Sequence, residues 1–196
     1  MRQARILLWV LVAIATVAFA YLAMRPAREA APEGQLITAE TFGGPFTLVG
    51  SDGKRFSSTK LAGKPYAIFF GFTHCPDVCP TTLARLVRLR QQAGGRPFEI
   101  VFVSVDPERD GPAEVGKYTE LFDSPVIGLT GSPAQIAQVK KQFGIFSQKV
   151  PQEGGDYSVD HTATVLLFDR NGRFTATIAP DESDDAALAK LRRLTA

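Results

Sequence analysis

Both cysteines of this chain lie in the stretch Gly71-Phe72-Thr73-His74-Cys75-Pro76-Asp77-Val78-Cys79-Pro80-Thr81-Thr82, together with one of its two histidines. Two thiols in one bend offer two chemistries: both sulfurs can hold one soft ion, or they can close into a disulfide. Three residues separate Cys75 from Cys79, so the loop is one residue longer than a C-x-x-C redox turn. The second histidine, His161, lies far along the chain.

The elements around the cysteines are legible. Tyr66 to Phe70 is short, apolar and aromatic, as in a buried strand, whereas Leu83, Leu86 and Val87 recur at helical spacing. The cysteines therefore lie where a strand hands over to a helix. Pro80 suits the first helical position, and the unpaired N–H groups of a first turn favour a thiolate over a thiol.

Further along, Glu99 to Val105 is a second apolar strand, and strand, helix, strand predicts a parallel pair. The intervening helix, Pro80 to Ala93, is expected to close at Gly94-Gly95. Pro112 to Phe122 and Pro133 to Phe143 read as helices around a short strand at Val126 to Leu129. Thr164 to Phe168 and Phe174 to Ile178 flank a turn at Asp169-Arg170-Asn171-Gly172, and Asp181 to Leu194 is a closing helix. Upstream, Phe46 to Val49 and Arg55-Phe56 flank Ser51-Asp52-Gly53-Lys54 as an added hairpin. The expected fold is α/β and thioredoxin-like, with an N-terminal hairpin extension and an inserted βα segment.

At the amino end, Ile6 to Met24 carries no charge; as a helix it is about 28 Å long, which matches a bilayer core. It reads as one transmembrane helix, although Ala18-Phe19-Ala20 also resembles a signal-peptide cleavage site. Either reading puts the domain outside the cytoplasm, facing the periplasm if the source is bacterial. The expected organisation is an anchor over residues 1–25, a Pro/Ala/Gly/Glu-rich linker over 26–40 and one domain over 41–196. Setting aside Arg2, Arg5, Arg25 and Arg28 leaves 18 of the 22 basic residues against 20 acids. No basic stripe exists for nucleic acid, which is not an expected partner.

Read together, the cysteine segment, Val103-Ser104-Val105-Asp106-Pro107-Glu108-Arg109-Asp110, Leu129-Thr130-Gly131 and Val159-Asp160-His161-Thr162 resemble the Sco/SenC family of membrane-anchored copper chaperones. The resemblance covers roughly residues 40 to 195. It implies that Cys75, Cys79 and His161 bind one copper ion, Cu(I) or Cu(II), and that the metal-free oxidised form carries a Cys75–Cys79 disulfide. It also implies assembly of the dinuclear copper centre (CuA) in subunit II of cytochrome c oxidase, with a copper donor protein or a thiol reductase as further partners. Such a protein is a metallochaperone rather than an enzyme.

His161 precedes the strand Thr164 to Phe168, where the thioredoxin arrangement carries a cis-proline; no proline occurs here between Gln152 and Ala179. Asp77 and Asp160 adjoin the ligands and are expected to tune them. His74, beside Cys75, is expected to shape the turn rather than bind the same ion. The Asp106 to Asp110 cluster reads as a strand end capping the next helix.

Other chemistries use the same residues. A thiol-disulfide reductase that keeps the CuA cysteines reduced needs both sulfurs and not His161. Val78-Cys79-Pro80-Thr81 resembles a peroxiredoxin segment, but Pro76 stands where that family has threonine. Two sulfurs and a nitrogen also suit zinc, though no general base is evident nearby. Metal occupancy or disulfide state could also drive a sensor.

Overall fold

The structure, a computed structural model, describes residues 42–93 and 98–195 together with Trp9, Ile14 and Thr16. Two compact units make up the chain, Met1–Leu36 and Ile37–Ala196. The expected anchor lies outside the described residues except for Trp9, Ile14 and Thr16, which are helical. The linker and the Gly94-Gly95 cap also lie outside them. Among the described residues, no helix is long and apolar enough to cross a membrane.

The second unit begins with a hairpin, β1 Thr47–Gly50 and β2 Arg55–Ser57, followed by β3 Tyr66–Gly71, α1 Val78–Ala93 and β4 Glu99–Ser104. Then come α2 Pro112–Thr119, β5 Ile127–Thr130, α3 Pro133–Gln142, β6 Ser147–Pro151 and β7 Tyr157–His161. β8 Val165–Phe168, β9 Phe174–Ile178 and α4 Asp184–Thr195 close it. Seven strands form one sheet in the order β2-β1-β5-β4-β3-β8-β9, with β3, β4 and β5 parallel to one another. This is the expected α/β arrangement, with the added hairpin forming one edge through antiparallel pairing of β1 with β5.

The central strands carry continuous apolar runs, Tyr66–Phe70 and Ile100–Val103, because both of their faces are covered. Every residue of β3 is buried, and in β4 only Glu99 is partly exposed. Successive side chains leave a strand on opposite sides. Phe69 accordingly meets Phe102, which in turn meets Tyr118 of α2, while Phe70 meets Phe143 after α3. Ser132 caps α3 in a capping box with Gln135, and Pro133 follows at the first helical position.

The helix expected over Pro112 to Phe122 ends at Thr119 and the closing helix expected from Asp181 starts at Asp184, and two further differences bear on the site. α1 starts at Val78 rather than Pro80, because the Asp77 carbonyl already accepts from Thr81 N–H at 3.1 Å; Cys79 therefore lies inside the first turn. Residues 147–161, to which the sequence reading assigned no element, contain a second sheet in which β6 and β7 pair from Ser147↔His161 to Pro151↔Tyr157. β6 is largely exposed and polar, so no apolar alternation announces it. Its turn uses Gly154 and Gly155 at φ 90° and 86°, a region that side chains disfavour.

Candidate metal centre

The inner sulfur is positioned by the end of β3. A Cβ at Gly71 would sit 2.7 Å from Cys79 Sγ, so only glycine lets that sulfur rest against the strand. Cys79 is fully buried, and burial pushes its thiol well above the ordinary cysteine range. This opposes the expected thiolate: the helix N-terminus is present, but removal from water outweighs it at Cys79. The Cys79 amide N–H instead donates to Cys75 Sγ at 3.4 Å. Cys75 is half-buried at the rim, and both cysteines are free thiols.

His161, the last residue of β7, completes the group. Its Nε2 lies 3.4 Å from Cys79 Sγ, and its Nδ1 lies 3.1 Å from the Thr162 carbonyl. Donation from Nδ1–H to that carbonyl leaves the Nε2 lone pair facing the sulfurs. The ring packs edge-on against Phe69 and Phe72, with centroids 5.9 Å and 5.8 Å away. Burial pushes the imidazole below its ordinary 6.5 and keeps it neutral, as a metal ligand must be.

Ligand atoms of Cys75, Cys79 and His161 all lie within 4.8 Å of one another, close enough to share one metal ion. Among the described residues, no other group of three or more His, Cys, Asp or Glu side chains does so. The cleft over the site is small and open; two larger clefts of about 570 Å³ contain no cysteine or histidine.

His74 is exposed and turned away from the sulfurs, with Nδ1 3.1 Å from Thr73 Oγ1 and 3.5 Å from Asp110. Asp77 is exposed, and its carboxylate accepts from the Thr81 hydroxyl at 3.1 Å. Asp160 is exposed, and the Nδ1 side of the His161 ring bonds the Thr162 backbone rather than this carboxylate.

The sequence reading missed the groups that brace the site. Asp110 is fully buried and accepts from Thr73 N–H at 2.8 Å, Thr73 Oγ1 at 2.6 Å and Ser104 Oγ at 2.6 Å. It thereby ties the cysteine turn to the end of β4. Gly111, not an aspartate, stands at the N-cap of α2, which corrects the capping role expected of the Asp106 to Asp110 cluster. The available signal was an arginine set between two acids just after a strand with an apolar centre, Ile100 to Val103, since such acids must find donors when buried.

The SCO1/SenC family model matches residues 34–196. The chain belongs to the SCO1/SenC family. Mitochondrial SCO1 homolog 1 of Arabidopsis thaliana is 40% identical over 143 residues, which cover 71% of this chain and 42% of that protein. Among solved structures, Bradyrhizobium japonicum ScoI with copper bound matches at TM-score 0.71 and 43% identity, over 78% of this chain and 99% of that one. The structure of BsSco, described as a member of the Sco family of cytochrome c oxidase assembly proteins, matches at TM-score 0.63 and 26% identity, over 79% and 93% of the two chains.

Proposed function

We propose that this chain binds one copper ion through Cys75, Cys79 and His161 and supplies it for assembly of the CuA centre in subunit II of cytochrome c oxidase. The observation that carries this reading is the convergence of two sulfurs and one neutral imidazole within 4.8 Å. Two thiolates select a soft cation such as Cu(I), and the imidazole adds a donor that also suits Cu(II). A small ligand set at an open cleft favours a cargo that must leave again. Residues 1–25 serve as the membrane anchor and 26–40 as the tether, which holds the domain outside the cytoplasm.

Anaerobic copper titration of the full-length chain, with absorption and X-ray spectroscopy, tests this reading. One copper per chain with two sulfurs and one nitrogen is expected. His161→Ala should lose the nitrogen and fail to support oxidase assembly. If His161→Ala still supports assembly while Cys75→Ser does not, the sulfur pair acts alone. Its two thiols would then become a disulfide while a disulfide of the oxidase subunit becomes two thiols.

A further inference from the structure

Arg109 has no part in the ligand set, yet it is among the most heavily engaged side chains near it. Its Nε donates to Asp106 Oδ2 at 2.6 Å, and its Nη1 donates to the Tyr157 carbonyl at 2.9 Å and to Asp156 Oδ1 at 3.0 Å. The guanidinium carbon lies 3.7 Å from the centre of the Tyr157 ring and 6.0 Å from that of Phe72. The Tyr157 hydroxyl donates to the other oxygen of Asp106 at 2.8 Å. The Asp106 carboxylate is fully buried, so both of its oxygens are spent on this cluster.

These contacts cross between elements that the main sheet does not join. Asp156 and Tyr157 belong to the β6–β7 hairpin, whose strands pair only with each other. Asp106 and Arg109 follow β4, and Phe72 leads into the cysteine turn and packs on the His161 ring. Side chains therefore hold the hairpin to the domain. Two further polar ties, Lys149 to Glu108 and Lys140 to Ser147, flank a cleft of about 190 Å³ beneath β6. Tyr157, Val159 and His161 alternate along β7 and so share one face. Fixing Tyr157 at one end of so short a strand fixes where the imidazole stands at the other.

We propose that Arg109 is a positioning residue for the metal centre: by clamping Tyr157 and Asp156 of the hairpin to Asp106, it holds His161 on the two sulfurs. This rests on the copper reading of the site. Without the clamp the hairpin drifts as a unit, and the centre keeps two sulfurs but loses its nitrogen.

The test compares full-length wild type, Arg109→Met, Tyr157→Phe, His161→Ala and the Arg109→Met/His161→Ala double variant. Each is titrated anaerobically with Cu(I) against a competing chelator, and the loaded forms are examined by X-ray absorption. Arg109→Met should lose the nitrogen, keep both sulfurs and bind copper about tenfold or more weakly. Tyr157→Phe should move the same way by less. With His161 already removed, Arg109→Met should change affinity by less than about twofold, since a group acting only through the ring has nothing left to act on. An intact nitrogen signal in Arg109→Met, or equal losses with and without His161, overturns the proposal.

If Arg109→Met does not fold, Tyr157→Phe combined with His161→Ala completes the same cycle. Amide hydrogen exchange on the metal-free chain gives an independent readout: residues 147–161 should exchange faster in Arg109→Met, and unchanged exchange overturns the clamp. A wild type that takes up no copper on sulfur and nitrogen overturns the copper reading instead, and the exchange measurement then still decides on the clamp.

Discussion

Gly71 decides how closely the inner sulfur approaches the sheet. A methyl group there would also lie 3.0 Å from the Phe102 ring, so Gly71→Ala must push the sulfur, the ring or the strand aside. Overpacking of this kind costs about 1–3 kcal/mol, and urea unfolding should show the loss together with weaker copper binding. The two thiols should also differ in reactivity, because Cys79 is sealed and Cys75 stands at the rim. In the reduced, metal-free chain, iodoacetamide should label Cys75 first and Cys79 only on unfolding, as peptide mapping by mass spectrometry would report. Burial holds the Cys79 proton on, so loading must displace it, and copper affinity should rise with pH through the neutral range.

At the scale of elements, the site is a meeting of three segments, and the bracing of each can be tested. Asp110 gathers Thr73 and Ser104, so Asp110→Ala removes the acceptor of three donors at once, the Ser104 hydroxyl fully buried and the Thr73 hydroxyl and N–H half-buried. A loss of about 3 kcal/mol in urea unfolding is expected, with Asp110→Asn losing less because it keeps an acceptor. The same comparison shows what the sequence could convey. β3, β4 and α1 were legible because continuous apolar runs and helical spacing report burial directly. The β6–β7 hairpin was not, because β6 is polar and mostly exposed and leaves β7 no apolar partner strand to announce it; nor was the tie of Tyr157 to Asp106, which spans 51 positions of the chain. The cysteine turn was plain at Cys75 and Cys79. The place of His161 beside them came from resemblance, since it lies 82 positions along the chain from Cys79.

Across the whole domain, α1 both carries Cys79 and packs along α4, so the centre is tied to the far end of the chain. Asp184 at the start of α4 accepts from Arg85 at 2.7 Å and from Arg88 at 2.6 Å on α1. These hydrogen bonds hold its carboxyl below the ordinary 3.8, so the contribution is complete above that pH and fades as pH falls through the lowered value. Asp184→Asn should therefore be less stable than wild type near neutrality, and the gap in urea midpoints should close in strong acid. The burial of Cys79 under Gly71 also imposes a direction on traffic. Cys75 and His161 both line the open cleft while Cys79 does not, so an acceptor entering there would meet those two ligands before the inner sulfur. If the chain delivers copper as proposed, the ion would leave as a boat leaves a dock, outer moorings first, and the line made fast against the sheet would be the last to be cast off.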